Sequence, residues 1–490
     1  MIVAGSVALA ALLLLWPAMV NGYPLVFSDT GTYLSQAIHH YLGWDRPIFY
    51  SLFLLPLHMR LTTWPVVCVQ ALLAAHMLHL VRRTLRPEWP AWSVVPLAGL
   101  LAFASPLPFV AAELMPDLFT SLLVLCLALL IFVPDRLSGR ERLWLLGLAV
   151  FTMTAHLSSL PLALALLGLL TPLRRSLGAC VPLGRRGVVR LVAAPILAAT
   201  AMIAVNVAGY RATSVAPFGN IFVLARVLYD GPGLRVLARD CPRAGWRLCE
   251  YVGMFPPTAD DFLWRADSPL YQAGGAKLIS NEADAIIAAA VRAEPVRELD
   301  AVLENGARQL ALFSTGDGLQ PWPVSVTPWI ERDFPAFERA EYEQARQTEG
   351  RKILPDWMPA VHAAVGVTGL IVCLALLPGA LRRRQPVAGF VLAMLLALLG
   401  NALITGGLSG PHDRYQSRLM WLPALIGVLA LPPLAMRPLG GRSTAASWRE
   451  RSTPSWPRLS RSSSSPSREE KAWMVCLHAG AARSSVGSAG

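Results

Sequence analysis

The stretch "IVAGSVALAALLLLWPAMVNGYPLVFSDTGTYL", residues 2–34, decides the fold class. From Ile2 to Val20 it carries no charged side chain. An α-helix rises about 1.5 Å per residue, so a run of this length reaches across a hydrocarbon layer of about 30 Å. Beyond Val20 the chain turns polar, and the loop that follows carries Asp29, Tyr33, His39, His40, Asp45 and Arg46.

The same alternation of apolar run and polar loop recurs along the chain. Of its 490 residues, 54% are hydrophobic and 15% charged, with a mean hydropathy of +0.48. Soluble domains are about 25% charged. Apolar runs fall at 2–20, 64–81, 92–110, 117–134, 143–157, 159–173, 189–208, 359–378, 387–408 and 419–436. They are continuous rather than alternating, which argues against a transmembrane β-barrel. The fold class they predict is an all-α polytopic membrane protein with about ten transmembrane helices.

Arginines set the orientation. Arg82, Arg83 and Arg86, then Arg136, Arg140 and Arg142, then Arg174, Arg175, Arg185 and Arg186, then Arg382 to Arg384, and finally Arg437 and Arg442 occupy alternate loops. Placing both termini in the cytoplasm puts all of these on the inner side and leaves only scattered basics outside. A span at 47–59 would move Arg82, Arg83 and Arg86 outside, so that stretch is read as a helix lying in the outer interface. The runs 143–157 and 159–173 are short and predict a tight hairpin turning near "AHLSSLP". The first run lacks a basic leader and a small-residue cleavage site, and is read as a retained span.

The domain organisation follows. Residues 1–208 form an N-terminal transmembrane module with the first outer loop and the interfacial helix. Residues 209–358 form a small, mainly helical extracytoplasmic domain, and 359–436 a C-terminal transmembrane module. Residues 437–490, with "SRSSSSPSREE" inside them, cannot bury a core and are expected to be a disordered cytoplasmic tail. That tail holds nine basic and three acidic residues and accounts for half of the net charge of +12. The charge therefore reflects topology and the tail, and indicates no nucleic-acid partner. Within 209–358, Ser280 or Asn281 is expected to cap one helix, and Pro295 to open another over 295–313 with Leu299, Val302, Leu303 and Leu310 on one face. Trp322 and Trp329, in "PWPVSVTPW", suit either headgroup contact or ordinary packing.

Seven cysteines are present. Cys68, Cys126 and Cys373 lie in apolar runs, Cys180 in an arginine-rich loop and Cys476 in the tail. Cys241 and Cys249 alone face the oxidising side and are expected to form a disulfide.

Ionisable side chains collect on the arginine-poor side. The first loop supplies Asp29, Asp45 and Arg46, "AAELMPDLF" supplies Glu113 and Asp117, the hairpin turn supplies His156, and "SGPHDRYQSR" supplies His412, Asp413, Arg414 and Arg418. Such groups at membrane depth mark function more often than structure. Each also has a simpler account. Glu113 and Asp117 flank Pro116 at a helix start, Asp29 precedes a helix that it could cap, Asp45 and Arg46 could pair locally, and Arg418 could anchor in headgroups.

The order of these features resembles the GT-C superfamily of integral-membrane glycosyltransferases, which includes the protein O-mannosyltransferases and the aminoarabinose transferases of lipid A. It is carried by "FSDTGTYL" and "DRPIFYSLF" after the first span, "ELMPDLF" in the second outer loop, a soluble outer domain, and "PHDRYQSRLMWLP" in the last outer loop, over roughly residues 1–436. The resemblance implies transfer of a sugar from a polyprenyl-phosphate carrier to a hydroxyl of a glycan, lipid or protein acceptor at the outer face of a membrane such as the bacterial inner (plasma) membrane. By position it implies Asp29 as catalytic base and Arg414 as ligand of the donor phosphate. Glu113, Asp117, Asp45, His156 and His412 become candidates for binding the acceptor or a divalent cation such as Mg²⁺ or Mn²⁺, although no spacing demands a metal. Chemistry agrees with these roles, since glycosyl transfer needs a base at the acceptor hydroxyl and a cation at the departing phosphate. A transporter or flippase of a lipid-linked or amphipathic substrate, and a non-catalytic scaffold, are the alternatives. No nucleotide-binding or hydrolase motif is present.

Overall fold

The computed structural model describes residues 2–179, 183–241 and 243–432, and Met1–Leu429 form one compact unit. The tail at 437–490, Cys180 and Cys476 lie outside the described residues. Among the described residues the structure is helical, with one isolated parallel β-bridge between Leu25 and Glu113. Four helices are long and apolar enough to cross a membrane.

The first apolar run is two helices, α1 (Ile2–Leu14) and α2 (Trp16–Asn21). Pro17 has no N–H to continue the ladder of α1 but sits without cost in the first turn of α2. Gly22, at φ 82°, ends α2 in the left-handed region and donates its N–H to the Ala18 carbonyl. The first loop holds α3 (Thr30–Ile38) and α4 (Phe49–His58), the latter being the stretch read as interfacial. α4 buries Tyr50, Ser51, Leu54 and His58 and exposes Leu52.

α5 (Trp64–Leu85) follows, and the run at 92–110 is divided at Ser105 and Pro106 into α6 (Val94–Ala104) and α7 (Leu107–Ala112). Every residue of α8 (Asp117–Phe132) is buried. A helix apolar on all sides must be surrounded, and α8 is flanked by α5, by α9 (Gly139–Ala155) and by α10 (Ser159–Leu173). α9 and α10 form the expected hairpin, turning at residues 156–158. α9 opens on a capping box between Ser138 and Glu141, and the Glu141 carboxylate also accepts from Arg83 at 2.8 Å. α11 (Arg185–Tyr210) is the longest helix before the central segment.

The segment 209–358 has two parts. The first comprises α12 (Gly219–Tyr229), α13 (Gly233–Asp240), α14 (Ala259–Trp264), α15 (Pro269–Gln272), α16 (Ala276–Ala293) and α17 (Pro295–Ala311). It has its own core of residues such as Ile221, Leu224, Phe262, Ile279 and Ile286. The Cys241–Cys249 disulfide forms there, as expected, with Cα atoms 5.3 Å apart. Expected N-cap residues Ser280 and Asn281 lie inside α16, which begins at Ala276; the Ser280 hydroxyl donates instead to Asn220 Oδ1 at 2.9 Å. α17 opens at Pro295 as expected, but Leu299, Leu303 and Leu310 are exposed. An adjacent face makes its contacts.

The second part holds α18 (Thr327–Asp333) and α19 (Ala336–Glu343), whose Ile330, Phe334 and Tyr342 join the main core. Glu338 of α19 accepts from the Tyr23 hydroxyl at 2.7 Å and from the Thr63 amide at 2.8 Å. A Cβ on Gly31 would stand 1.9 Å from the Ser325 carbonyl, so only glycine lets α3 approach this part. Trp322 and Trp329 take the packing alternative: Trp322 donates to the Gly318 carbonyl at 2.9 Å, and Trp329 lies 4.3 Å beneath the Arg332 guanidinium.

The chain ends its described course with α20 (Met358–Arg382), α21 (Val387–Leu408), α22 (Asp413–Ser417) and α23 (Trp421–Ala430). α20 and α23 cross closely, since a Cβ on Gly369 would lie 2.6 Å from the Pro423 backbone. Small residues at such crossings let helix backbones meet. Gly369→Val is therefore expected to destabilise the protein by about 1–3 kcal/mol through overpacking. Gly168→Ala, with nothing within 4 Å of the new Cβ, should leave stability unchanged or slightly raised. Thermal denaturation of both variants in detergent measures the difference.

Candidate functional site

The β-bridge brings two loops together. Leu25 donates its N–H to the Ala112 carbonyl at 2.9 Å, and Leu114 donates to the Leu25 carbonyl at 2.8 Å. Asp29 and the Glu113–Asp117 loop are thereby held side by side. Asp29 does not cap α3. The Thr30 hydroxyl takes the local role instead, accepting from the Phe27 amide at 2.9 Å. The carboxylate of Asp29 is left to turn toward arginine.

Its Oδ2 accepts from Arg46 Nε at 3.0 Å and Nη2 at 2.7 Å, a two-pronged pair. The same oxygen lies 3.5 Å from Arg414 Nη1. That nitrogen is 3.8 Å from Asp117 Oδ2, and Asp117 Oδ1 accepts from Arg418 Nη1 at 3.0 Å. One chain of alternating charge thus runs Arg46, Asp29, Arg414, Asp117, Arg418. Arg414 and Arg418 stand four residues apart at the short α22, which aims both at Asp117. The amide of Arg414 is held by Asp317 Oδ2 at 3.0 Å, and its guanidinium stacks 3.9 Å from the Phe27 ring centre.

Arg418 is no headgroup anchor. It is 0% exposed and donates further to Asn401 Oδ1 at 2.8 Å and Ser158 Oγ at 3.1 Å, while its Nη1 lies 3.3 Å from His156 Nε2. A buried guanidinium needs this number of partners to offset its lost hydration. Arg414 differs. Its Nη1 is buried without a hydrogen bond, held only by the two looser ion pairs.

Burial alone would raise the Asp29 carboxyl pKa, but Arg46 and Arg414 outweigh it and hold Asp29 below the ordinary range. Asp45 goes the other way. Burial raises it, and Arg46, 3.9 Å away, compensates only in part. Burial, reinforced by the charge of Asp117, pushes Glu113 up to about 8. The His156 Nδ1 lies 2.8 Å from the Ser158 hydroxyl, and its Nε2 faces Arg418. His412 turns away to Asp260, 3.5 Å distant, and that hydrogen bond raises its pKa.

Arg414 borders two cavities. One, of about 210 Å³, is lined by the polar side chains of Tyr33, Asp45, Arg46, His156 and Arg414 and by apolar ones such as Leu157, Phe222, Ile404 and Leu408. The other, of about 30 Å³, holds Glu113, Asp117, Asp317 and Arg418 around the same guanidinium. Asp29 lines neither; it lies behind Arg46 and Arg414. Of the residues singled out in the sequence, Asp29, Asp45, Glu113, Asp117, His156 and Arg414 thus meet in one place. His412 borders neither cavity. The sequence reading passed over the roles of Arg46 and Arg418 and missed Asp317 and Asn401. Arg46 next to Asp45 gave no sign of its longer-range partner Asp29.

Among the described residues, no three His, Cys, Asp or Glu side chains are grouped to hold a metal ion. Comparison of the chain with protein-family models, with curated proteins and with solved structures finds no match.

Glu113 makes stability depend on pH. The unfolded chain releases its proton at the ordinary 4.5 and the folded protein at about 8, so between these values the folded state binds the extra proton. The contribution is fully present below about 4.5 and is lost as pH rises toward 8. Glu113→Gln should remove this slope and gain on the wild type above pH 8. Melting midpoints of the two proteins across this range test it; parallel curves would contradict it.

Proposed function

We propose that the protein is a membrane glycosyltransferase of the GT-C kind, which moves a sugar from a polyprenyl-phosphate donor to an acceptor hydroxyl. The observation that carries this reading is the cavity of about 210 Å³ whose lining joins Arg46 and Arg414 to apolar side chains such as Leu157, Phe222, Val223, Ile404 and Leu408. A ligand suited to it has an anionic head and a hydrocarbon tail. Arginine matches phosphate in charge and geometry, and the Nη1 of Arg414 has donor capacity to spare. In this reading the ten apolar runs cross the membrane, the site lies on the extracytoplasmic side, and both termini are cytoplasmic.

Asp45, on the cavity wall and with its pKa raised, is the better-placed base. Asp29, expected to be that base, has its Oδ2 engaged by two arginines and serves as the fixed anion that positions them. In the reaction the acceptor oxygen bonds to the anomeric carbon and its proton passes to Asp45. The bond from that carbon to the phosphate oxygen breaks, and its electron pair leaves on the polyprenyl phosphate. Arg414 and Arg46 stabilise the charge that develops there. The Glu113 carboxyl, neutral near pH 7, and the Asp117 Oδ2, which makes no hydrogen bond, remain as candidates to hold an acceptor hydroxyl.

Binding of undecaprenyl phosphate to the purified protein in nanodiscs, followed by tryptophan fluorescence, tests the donor site. Affinity should exceed that for undecaprenol and fall about tenfold or more in Arg414→Ala, the loss expected for a charged hydrogen bond of about 1.5–3 kcal/mol. Asp45→Asn should keep this binding and lose transfer, whereas Asp29→Asn should lose both. Equal affinity for the alcohol and the phosphate would overturn the proposal. Movement of the lipid between leaflets without transfer would establish the transporter reading instead.

A further inference from the structure

The sixth helix of the central segment, α17, has three distinct faces. One packs against α21. A Cβ on Gly306 would lie 2.8 Å from the Leu403 side chain, one on Gly406 would lie 2.6 Å from the Asn305 carbonyl, and one on Gly407 would lie 3.0 Å from Val302. Glycines on both helices thus bring the two together. On its other flank this buried side meets α12 and the chain after it, through the buried pair of Glu298 with Arg226 at 2.6 Å and the bond from Asn305 to Asp230 at 2.6 Å.

A second face carries Val296, Leu299, Leu303 and Leu310, which are 70%, 59%, 52% and 39% exposed. Their spacing places them in one stripe along the helix. The third face carries Arg297, Asp300, Glu304 and Arg308. A helix that faced water on both free sides would not keep four large aliphatic residues in a row on one of them and its charges on the other.

The partner of α17 identifies what covers the stripe. α21 is one of the four helices long and apolar enough to cross a membrane. Its Leu399 and Leu408, 46% exposed each, flank the turns that α17 touches. The leucines of α17 therefore continue the hydrocarbon-facing surface of the helix beside them. We propose that α17 lies in the membrane interface, its Val296–Leu310 stripe in the acyl region and its charged face toward the headgroups. The first part of the central segment is then fixed to the bilayer by this helix, independently of any catalytic role. Two features agree with a surface-lying helix: the stripe is interrupted by no charge, and charges of both signs gather on the adjoining free flank.

Spin labels test this on the full-length protein in phosphatidylcholine–phosphatidylglycerol liposomes. Cys68, Cys126, Cys180, Cys373 and Cys476 are first replaced by alanine or serine, with the Cys241–Cys249 disulfide kept. Labels are then placed at Leu303→Cys and Leu299→Cys, at Glu304→Cys on the charged face, and at Leu399→Cys on α21 as a lipid-facing reference. Oxygen, which concentrates in lipid, should relax the labels at 299 and 303 as it does the label at 399, and a water-soluble nickel chelate should reach only the label at 304. Access of the nickel chelate to 303 equal to that at 304 would overturn the proposal. So would dipolar broadening between labels at 303, the sign that a second copy covers the stripe.

Discussion

The buried ion chain of Arg46, Asp29, Arg414, Asp117 and Arg418 is the constraint on which the rest depends. Each charge in it lies away from bulk water, and each is tolerable only because an opposite charge stands beside it. Asp29 comes from the first loop, Asp117 from the start of the most buried helix, and the two arginines from the loop before α23. The chain can satisfy these charges only by bringing three distant loops to one point. The Leu25–Glu113 bridge then fixes how closely the first two of them approach.

The division of labour within that chain follows from which guanidinium reaches the larger cavity. Arg418 does not line it; its two terminal nitrogens donate to Asp117, Ser158 and Asn401 and make it a structural pin. Arg414 is held in place through its backbone and by the Phe27 ring, but one of its nitrogens makes no hydrogen bond. A guanidinium fixed in position, with a donor unspent and the larger cavity beside it, is poised for an anion, which is why the proposed donor phosphate is assigned to Arg414 and not to Arg418. Burial pushes the Glu113 carboxyl up to about 8, so near neutral pH it adds no further charge to these surroundings.

Much of this was legible in the sequence because membrane topology turns local pattern into long-range position. Continuous apolar runs predict the helices, and the alternation proposed from the arginine-rich loops groups Asp29, Glu113, Asp117, His156 and Arg414, residues that the structure brings together. The cysteine pair followed from the same sidedness. What stayed hidden depended on contacts between residues far apart in the chain. Nothing local distinguishes Arg418 from a headgroup anchor, ties Arg46 to Asp29, or shows that Asp29 leaves the cavity wall to Asp45. The start of α16 was misplaced because Ser280, a good cap by type, is drawn off by Asn220. The leucines expected on one face of α17 are exposed there, because apolar spacing reports a face without reporting what covers it.

The central claim is that Asp29 and Arg414 share one buried network, and a double-mutant cycle on stability measures it most directly. Asp29→Asn, Arg414→Gln and the double variant would be compared with the wild type by denaturation in detergent. The account predicts that the double variant loses less than the sum of the single losses, with a coupling of about 1 kcal/mol or more. Additive losses would mean that the two side chains do not sense each other, and the site described around them would not exist.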